Sequence, residues 1–157
     1  MTGTEKTIKN AVLFPVVSFS VIMIDINGLK RVNDKFGHDK GDEMIRAVAE
    51  LLRSVCRETD TLSRMGGDEF IILLPSTTSA EANVTATRIR DREKTLSLVC
   101  RLKNHRQASI PIRFSMGVAG SDETTPEKVM KLADQRMYID KENFYQKTVE
   151  SIHFDHS

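Results

Sequence analysis

Arg64-Met65-Gly66-Gly67-Asp68-Glu69-Phe70 runs directly into the apolar stretch Ile71-Ile72-Leu73-Leu74. A glycine pair, two adjacent carboxylates and then a strand-forming run read as a tight turn at the tip of a hairpin. Its arms are Thr61–Met65 and Glu69–Leu74, and Pro75 ends the second arm. Two acids held at a rigid tip are what a metal-dependent phosphoryl-transfer site needs. A plain surface turn requires neither both acids nor strong strands to fix them.

Outward from the hairpin, the pattern gives an alternating chain. Val16 to Ile26 is rich in β-branched residues and reads as a central strand ending at Asp25. Gly28 to Phe36 forms a short helix closed by Gly37. Asp39 to Cys56 is an amphipathic helix with Met44, Ile45, Val48, Leu51, Leu52 and Val55 on one stripe. After the hairpin, Ser79 to Lys94 is a helix with Ala82, Ala86 and Ile89 inward, and Ile110 to Ala119 is a strand. Pro126 opens a last helix whose apolar face carries Val129, Met130, Leu132, Ala133 and Met137. Thr95 to Ser109 fits no single period. The order βααββαβα predicts an α/β (α+β) sandwich with a mainly antiparallel sheet, ferredoxin-like in plan. In that plan the strands bearing Asp25 and Asp68 are neighbours, with their acidic ends at one rim.

The chain has 157 residues, 39% hydrophobic and 29% charged, which suits one domain over residues 1–157 with a core from about 16 to 145. Residues 1–10 are polar and expected to be loosely held. The net charge of +1 gives no global case for binding nucleic acid or an anionic membrane. No apolar run is long enough to span a bilayer, and the Ala11–Ile26 stretch lacks the features of a signal peptide. Cys56 and Cys100 lie in or beside apolar patterns and read as buried free thiols, which fits a reducing cytoplasm.

Taken singly, each candidate site residue has an ordinary reading. Asp25 alone is a strand-end carboxylate in a solvated turn; beside the hairpin acids it becomes a metal ligand, with the Ile26 carbonyl next to it. Glu69 is a further candidate ligand, although alternation points it away from Asp68. Asn33 and Asp42 are either cap and turn formers or a donor–acceptor pair suited to a guanine edge. Lys30 is either a solvated cation or a phosphate contact, and His38 beside Gly37 is either a turn residue or a ligand contact.

Together these residues resemble the GGDEF domain, the catalytic module of diguanylate cyclases. The resemblance runs from about Val21 to Lys141. It is carried by Asp25-Ile26-Asn27-Gly28-Leu29-Lys30, Asn33-Asp34-Lys35-Phe36-Gly37-His38, Gly41-Asp42, the Arg64–Phe70 segment, Phe114-Ser115-Met116-Gly117-Val118, and Ala133-Asp134 through Met137-Tyr138 to Lys141. It implies a nucleotidyl-cyclase-like fold that condenses two GTP into cyclic di-GMP and releases two pyrophosphates. By this resemblance Asp25, Asp68 and the Ile26 carbonyl hold Mg²⁺ or Mn²⁺. Asn33 and Asp42 read guanine with His38 nearby, Lys30 and Lys141 hold phosphates, and Asp68 or Glu69 takes the proton of the attacking hydroxyl. Each domain would hold one GTP, so the active form is expected to be a two-fold homodimer.

Arg57-Glu58-Thr59-Asp60 precedes the hairpin and resembles the family's R-x-x-D product-inhibition site, with Arg88 or Arg90 as a further contact; the ordinary reading is a helix-end Arg and a turn Asp. The chain also departs from the family pattern. Met1-Thr2-Gly3-Thr4 is a remnant of the usual N-terminal element, Asn27 and Leu29 replace a frequent Asp and Phe, and Phe144-Tyr145 stands where a Gly-Arg pair is expected. These departures leave a second reading open, a domain that binds GTP or cyclic di-GMP and signals without turnover. No sensory domain is read in the sequence, so input is expected from a partner or from an upstream domain of a longer protein.

Overall fold

The structure, a computed structural model, describes residues 17–154. The expected loose segment at residues 1–10 and the first residue of the expected first strand, Val16, lie outside that range. The first strand, β1, is Phe19–Ile26, followed by helices α1 (Leu29–Phe36) and α2 (His38–Val55). The hairpin strands are β2 (Thr61–Arg64) and β3 (Glu69–Pro75). Helix α3 (Ser79–Glu93) leads to a short pair, β4 (Ser97–Arg101) and β5 (Gln107–Pro111). Strand β6 (Phe114–Gly120), a 3₁₀ turn at Pro126–Lys128 and helix α4 (Val129–Phe154) complete the chain.

The main sheet has the order β2-β3-β1-β6, with every pairing antiparallel. This is the expected ferredoxin-like plan, with the β4–β5 pair added as a separate sheet. Strand β1 is central and almost wholly buried, and its two faces serve different layers. Ile22, Ile24 and Ile26 join Phe70, Ile72, Leu74, Phe114 and Met116 in a core shared with α1, α2 and α3. Val21 and Met23 face the other way, with Ala119, onto Val129, Ala133 and Met137 of α4. Burial of several such aliphatic side chains, at about 1.5–3 kcal/mol each, is the main force holding the layers together.

Local signals account for the element ends. Gly28 and Gly37 bracket α1 with φ of 78° and 89°, values that favour glycine. Thr78 and Glu81 form a reciprocal capping box at α3: Glu81 accepts from the Thr78 N–H at 2.9 Å, and Thr78 Oγ1 accepts from the Glu81 N–H at 3.3 Å.

Several expected boundaries move. β1 begins at Phe19 rather than Val16 because its ladder starts where Phe19 meets Pro75. Helix α2 begins at His38 rather than Asp39, directly after Gly37, and the first hairpin arm ends at Arg64 rather than Met65. The single strand expected over Ile110–Ala119 is two strands in two sheets. Pro111 has no N–H to extend the β5 ladder, and the Ile112 N–H bonds the Leu96 carbonyl at 3.0 Å. The Arg113 carbonyl then accepts from the Asn27 N–H at 2.8 Å, which aligns β6 with β1. Met130, expected on the apolar face of the last helix, is exposed, whereas Val129, Ala133 and Met137, expected on the same face, are buried. Both cysteines are free, Cys100 buried and Cys56 half-buried.

Among the described residues, no further strand pairs with the outer edge of β6. Its alternate backbone groups are bonded to charged side chains instead. The Phe114 carbonyl accepts from Arg90 at 2.5 Å, and the Val118 carbonyl accepts from Arg136 at 2.7 Å. The Met116 N–H donates to Asp140 at 2.8 Å, and the Gly120 N–H donates to Glu123 at 3.2 Å.

Helix α4 approaches β6 with no side chain between them at Gly117. A Cβ there would lie 1.9 Å from the Ala133 carbonyl oxygen and 2.3 Å from the Met137 nitrogen. Both are backbone atoms that move only with the helix. Gly117→Ala is therefore expected to destabilise the domain by about 3 kcal/mol or more. Chemical denaturation checks this, and an unchanged midpoint would contradict the packing described.

Candidate active site

Asp25 is the penultimate residue of β1 and lies on the α4 face of the sheet. It pairs in register with Glu69 on one side and Ser115 on the other. Its residue exposure is 5%. One carboxylate oxygen, Oδ2, accepts from Lys141 Nζ of α4 at 2.7 Å. The other, Oδ1, is buried and has no hydrogen-bond partner among the described residues. An orphaned carboxylate oxygen inside a fold costs free energy unless a cation or donor meets it.

The hairpin tip reaches the same place. The Ile26 N–H donates to the Asp68 carbonyl at 2.9 Å, which ties the tip to the end of β1. Burial is the largest influence on the Asp25 carboxyl and pushes it above its ordinary value; Lys141 pulls it back, and the neighbouring Asp68 carboxylate pushes it up again. The hydrogen bond to Asp25 in turn raises the Lys141 ammonium. Asp25, Asp68 and Lys141 thus meet; the element order implied the neighbouring placement of the two aspartates, and the contact of Lys141 with Asp25 is added by α4. Glu69 sits opposite Asp25 and lines a smaller recess with Asp25, Lys141 and Tyr138.

The tip has an internal strut that the sequence reading missed. Arg64 Nε donates to the carbonyls of Gly66 at 2.9 Å and Gly67 at 3.2 Å. The signal was present, an arginine two residues before the glycine pair. Around Gly66 and Gly67 themselves nothing lies within 4 Å of where a Cβ would stand. Neither residue has a positive φ. The glycines leave open space at the tip rather than relieving strain.

Beside the acids a cleft of about 880 Å³ opens between α1 and α4, within the range of ligand sites. Ile26, Lys30, Asp68, Lys141 and Tyr145 line it. Asn33 lies within α1 and packs against Gly41 of α2, where a Cβ would sit 1.7 Å from Asn33 Oδ1. That contact sets Asn33 beside the helical turn carrying Asp42. Asp42 and His38 are both exposed on α2. None of these three residues lines the cleft.

Arg90 holds the α4 side of the site in place. It ion-pairs with Glu93 at 2.7 Å and with Asp140, the residue before Lys141. Arg90 is therefore committed to this network and not to the R-x-x-D pair. Arg57 and Asp60 form a closed ion pair: Arg57 Nη2 donates to Asp60 Oδ1 at 2.9 Å, and the Arg57 N–H to Asp60 Oδ2 at 2.7 Å. The Asp60 side chain is 1% exposed and that of Arg57 is 53% exposed, so the guanidinium is the accessible partner. Arg88 is exposed on α3 and makes no ion pair with this couple.

Among the described residues, no three His, Cys, Asp or Glu side chains gather into a metal cage. Two carboxylates, one with a buried oxygen that has no partner among the described residues, instead meet at the rim. Such a pair fits a hard divalent cation that takes its remaining ligands from water and substrate phosphates. Among the described residues, no helix is long and apolar enough to cross a membrane.

Comparison with known proteins places this geometry in a family. The profile "Diguanylate cyclase, GGDEF domain" matches residues 3–146, and the chain belongs to that family. It is 38% identical over 124 residues to diguanylate cyclase DosC of Escherichia coli, an alignment covering 78% of this chain and 26% of DosC. Among solved structures, the active GGEEF domain of a diguanylate cyclase from Vibrio cholerae superposes with a TM-score of 0.68 at 30% identity, covering 89% of this chain and 85% of that one. The GGDEF domain of DgcB from Caulobacter crescentus, solved in complex with c-di-GMP, gives a TM-score of 0.68 at 26% identity, covering 80% and 73%. The chain spans about a quarter to a third of the length of the curated relatives it matches.

The buried Asp25 charge should carry a stability cost. Because its carboxyl lies above the ordinary value, the folded state holds the proton more tightly than the unfolded chain. The cost is relieved at low pH and fully present above the folded-state value. Asp25→Asn is therefore expected to raise the melting temperature of the metal-free domain at pH 7. The gain should shrink as pH falls. A thermal melt at pH 7 in chelator checks it, and a lower melting temperature would contradict the assignment.

Proposed function

We propose that this domain is a diguanylate cyclase that condenses two molecules of GTP into cyclic di-GMP. The observation that carries the reading is the meeting of Asp25, Asp68 and Lys141 at one rim, with a buried Asp25 oxygen left unpaired. In each half-reaction a ribose hydroxyl of one GTP attacks the α-phosphorus of the other. A new P–O bond forms, the bond to pyrophosphate breaks, and the hydroxyl proton leaves to a base.

Asp25, Asp68 and the Ile26 carbonyl, with Glu69 as a further candidate, would hold Mg²⁺ or Mn²⁺. Such an ion would supply charge neutralisation on the triphosphate. The other roles belong to the chain itself. Lys30 and Lys141 line the cleft from two different helices and clamp the phosphates. Asn33 and Asp42 read the guanine edge, with His38 beside them. Asp68 or Glu69 accepts the proton, and open space at Gly66 and Gly67 lets the ligand approach the backbone. Ring closure needs two such sites face to face, so the active species is a homodimer. The solvent-facing Arg57 guanidinium with Asp60, and Arg88 on the next helix, forms the product-inhibition site. The free thiols and the GTP requirement support a cytoplasmic location, with the signal arriving from a partner or a neighbouring domain.

A second reading, a nucleotide-binding module without turnover, is favoured by one observation. Tyr145, one turn after Lys141, lines the cleft where a second cation would strengthen the hold on phosphate. The two readings separate in one experiment. The purified domain is incubated at high concentration with GTP and Mg²⁺, and the products are analysed by mass spectrometry. Cyclic di-GMP is the expected product. GTP binding without product would establish the second reading.

Asp68→Ala is expected to lower turnover at least about 100-fold, the scale of losing metal-assisted stabilisation, while the circular dichroism spectrum stays unchanged. Full activity in that variant would remove the metal assignment. Arg57→Ala is expected to relieve inhibition by added cyclic di-GMP, read as a higher half-inhibitory concentration. An unchanged value would remove the R-x-x-D assignment.

A further inference from the structure

Between Glu93 and Asp122 the chain carries five cationic residues, Lys94, Arg101, Lys103, Arg106 and Arg113, and no Asp or Glu. The chain as a whole has a net charge of only +1, so positive charge is concentrated in this stretch. Arg101, Lys103 and Arg106 lie at the tip of the β4–β5 hairpin and are exposed.

That tip is an ordered turn. The Leu102 N–H donates to the Arg106 carbonyl at 2.8 Å, and the His105 N–H to the Leu102 carbonyl at 3.0 Å. The Arg106 N–H donates to Asn104 Oδ1 at 3.1 Å. The hairpin is also tied to α2, because Lys40 Nζ donates to the Val99 carbonyl at 2.8 Å. The cations are thus displayed by a fixed backbone.

Between this tip and the end of α1 lies a recess of about 340 Å³, lined by Lys35, Phe36, Arg101, Leu102, Lys103 and Asn104. Lys35 Nζ stands 5.4 Å from the centre of the Phe36 ring. Some exposed cations elsewhere have carboxylate partners, as Lys40 has Glu43, Lys94 has Asp91 and Arg136 has Glu123. Among the described residues, Lys35, Arg101 and Lys103 form no ion pair. Three cations and an amide therefore converge on one recess with no acid to neutralise them.

We infer that Lys35, Arg101 and Lys103 form a second anion-binding site, specific for a polyphosphate such as pyrophosphate or the phosphate tail of a nucleotide. Charge-assisted donors with no competing carboxylate are suited to such a ligand. The lining is concave, which suits a free anion that several donors can surround better than it suits the flat surface of an anionic bilayer. The recess and the Asp25–Asp68 cleft are two cavities that share one lining residue, and Arg101 and Lys103 belong to the recess alone, so the inference does not depend on what the cleft does. Lys35 lines both.

Calorimetric titration with inorganic pyrophosphate, without divalent cations, tests the inference. Three proteins are compared: the unaltered domain, Arg101→Ala/Lys103→Ala, and Lys30→Ala/Lys141→Ala. The hairpin variant alters only exposed side chains, and its circular dichroism spectrum reports that it is folded. It is expected to lose at least about tenfold in affinity for one binding event, and the Lys30/Lys141 variant to retain that event. Equal binding by the hairpin variant and the unaltered domain would overturn the inference, as would loss of all pyrophosphate binding in the Lys30/Lys141 variant. Sedimentation with phosphatidylserine vesicles that depends on Arg101 and Lys103, without competition by pyrophosphate, would also overturn it by assigning the patch to a lipid surface. The titration is readable whether or not the domain makes cyclic di-GMP, so its outcome is distinct from that of the turnover assay.

Discussion

A carboxylate at the buried end of the central strand, with one oxygen on a lysine and the other on nothing, is the constraint around which this domain is built. Burial alone would favour protonation or replacement of Asp25. The arrangement persists because three separate elements converge on it: β1 supplies the acid, the hairpin tip brings Asp68 beside it, and α4 delivers Lys141. None of these is local in sequence, since Lys141 is 116 residues from its partner. The antiparallel order of β3, β1 and β6 gives them a common rim.

The accuracy of that convergence rests on α4. Gly117 lets the helix meet β6 backbone to backbone, and Asp140 bonds both Arg90 and the Met116 N–H one residue before Lys141. The position of the lysine is therefore set by main-chain contact and by a charged network reaching across to α3. Arg64 does the equivalent for the hairpin, holding the tip from inside its own turn.

Much of this was legible in the sequence because it rested on short-range signals. The glycine pair with its following acids marked the tip, the β-branched run marked the central strand, and the 3.6-residue stripe marked α2. The neighbouring placement of Asp25 and Asp68 followed from element order. The parts that escaped were decided by tertiary contacts. Thr95–Ser109 gave no clear period because β4 and β5 pair only with each other, each burying alternate residues on one side. The run Ile110–Ala119 looks continuous, and only the diversion of Ile112 to Leu96 and of Arg113 to Asn27 reveals two strands. Arg90 was readable as a cation but not as the anchor of α4, since its partner Asp140 is 50 residues away.

The charged side chains along the free margin of β6 have a consequence for how copies of this domain can associate. A sheet margin with unmet donors and acceptors is a template on which another chain can add a strand. Here Arg90, Asp140, Arg136 and Glu123 already take the groups of alternate residues from Phe114 to Gly120. At the opposite margin, β2 offers only four residues, three of them exposed. Strand addition is thereby disfavoured at both margins, and two copies are left to meet through helices, loops and the rim that carries the acids.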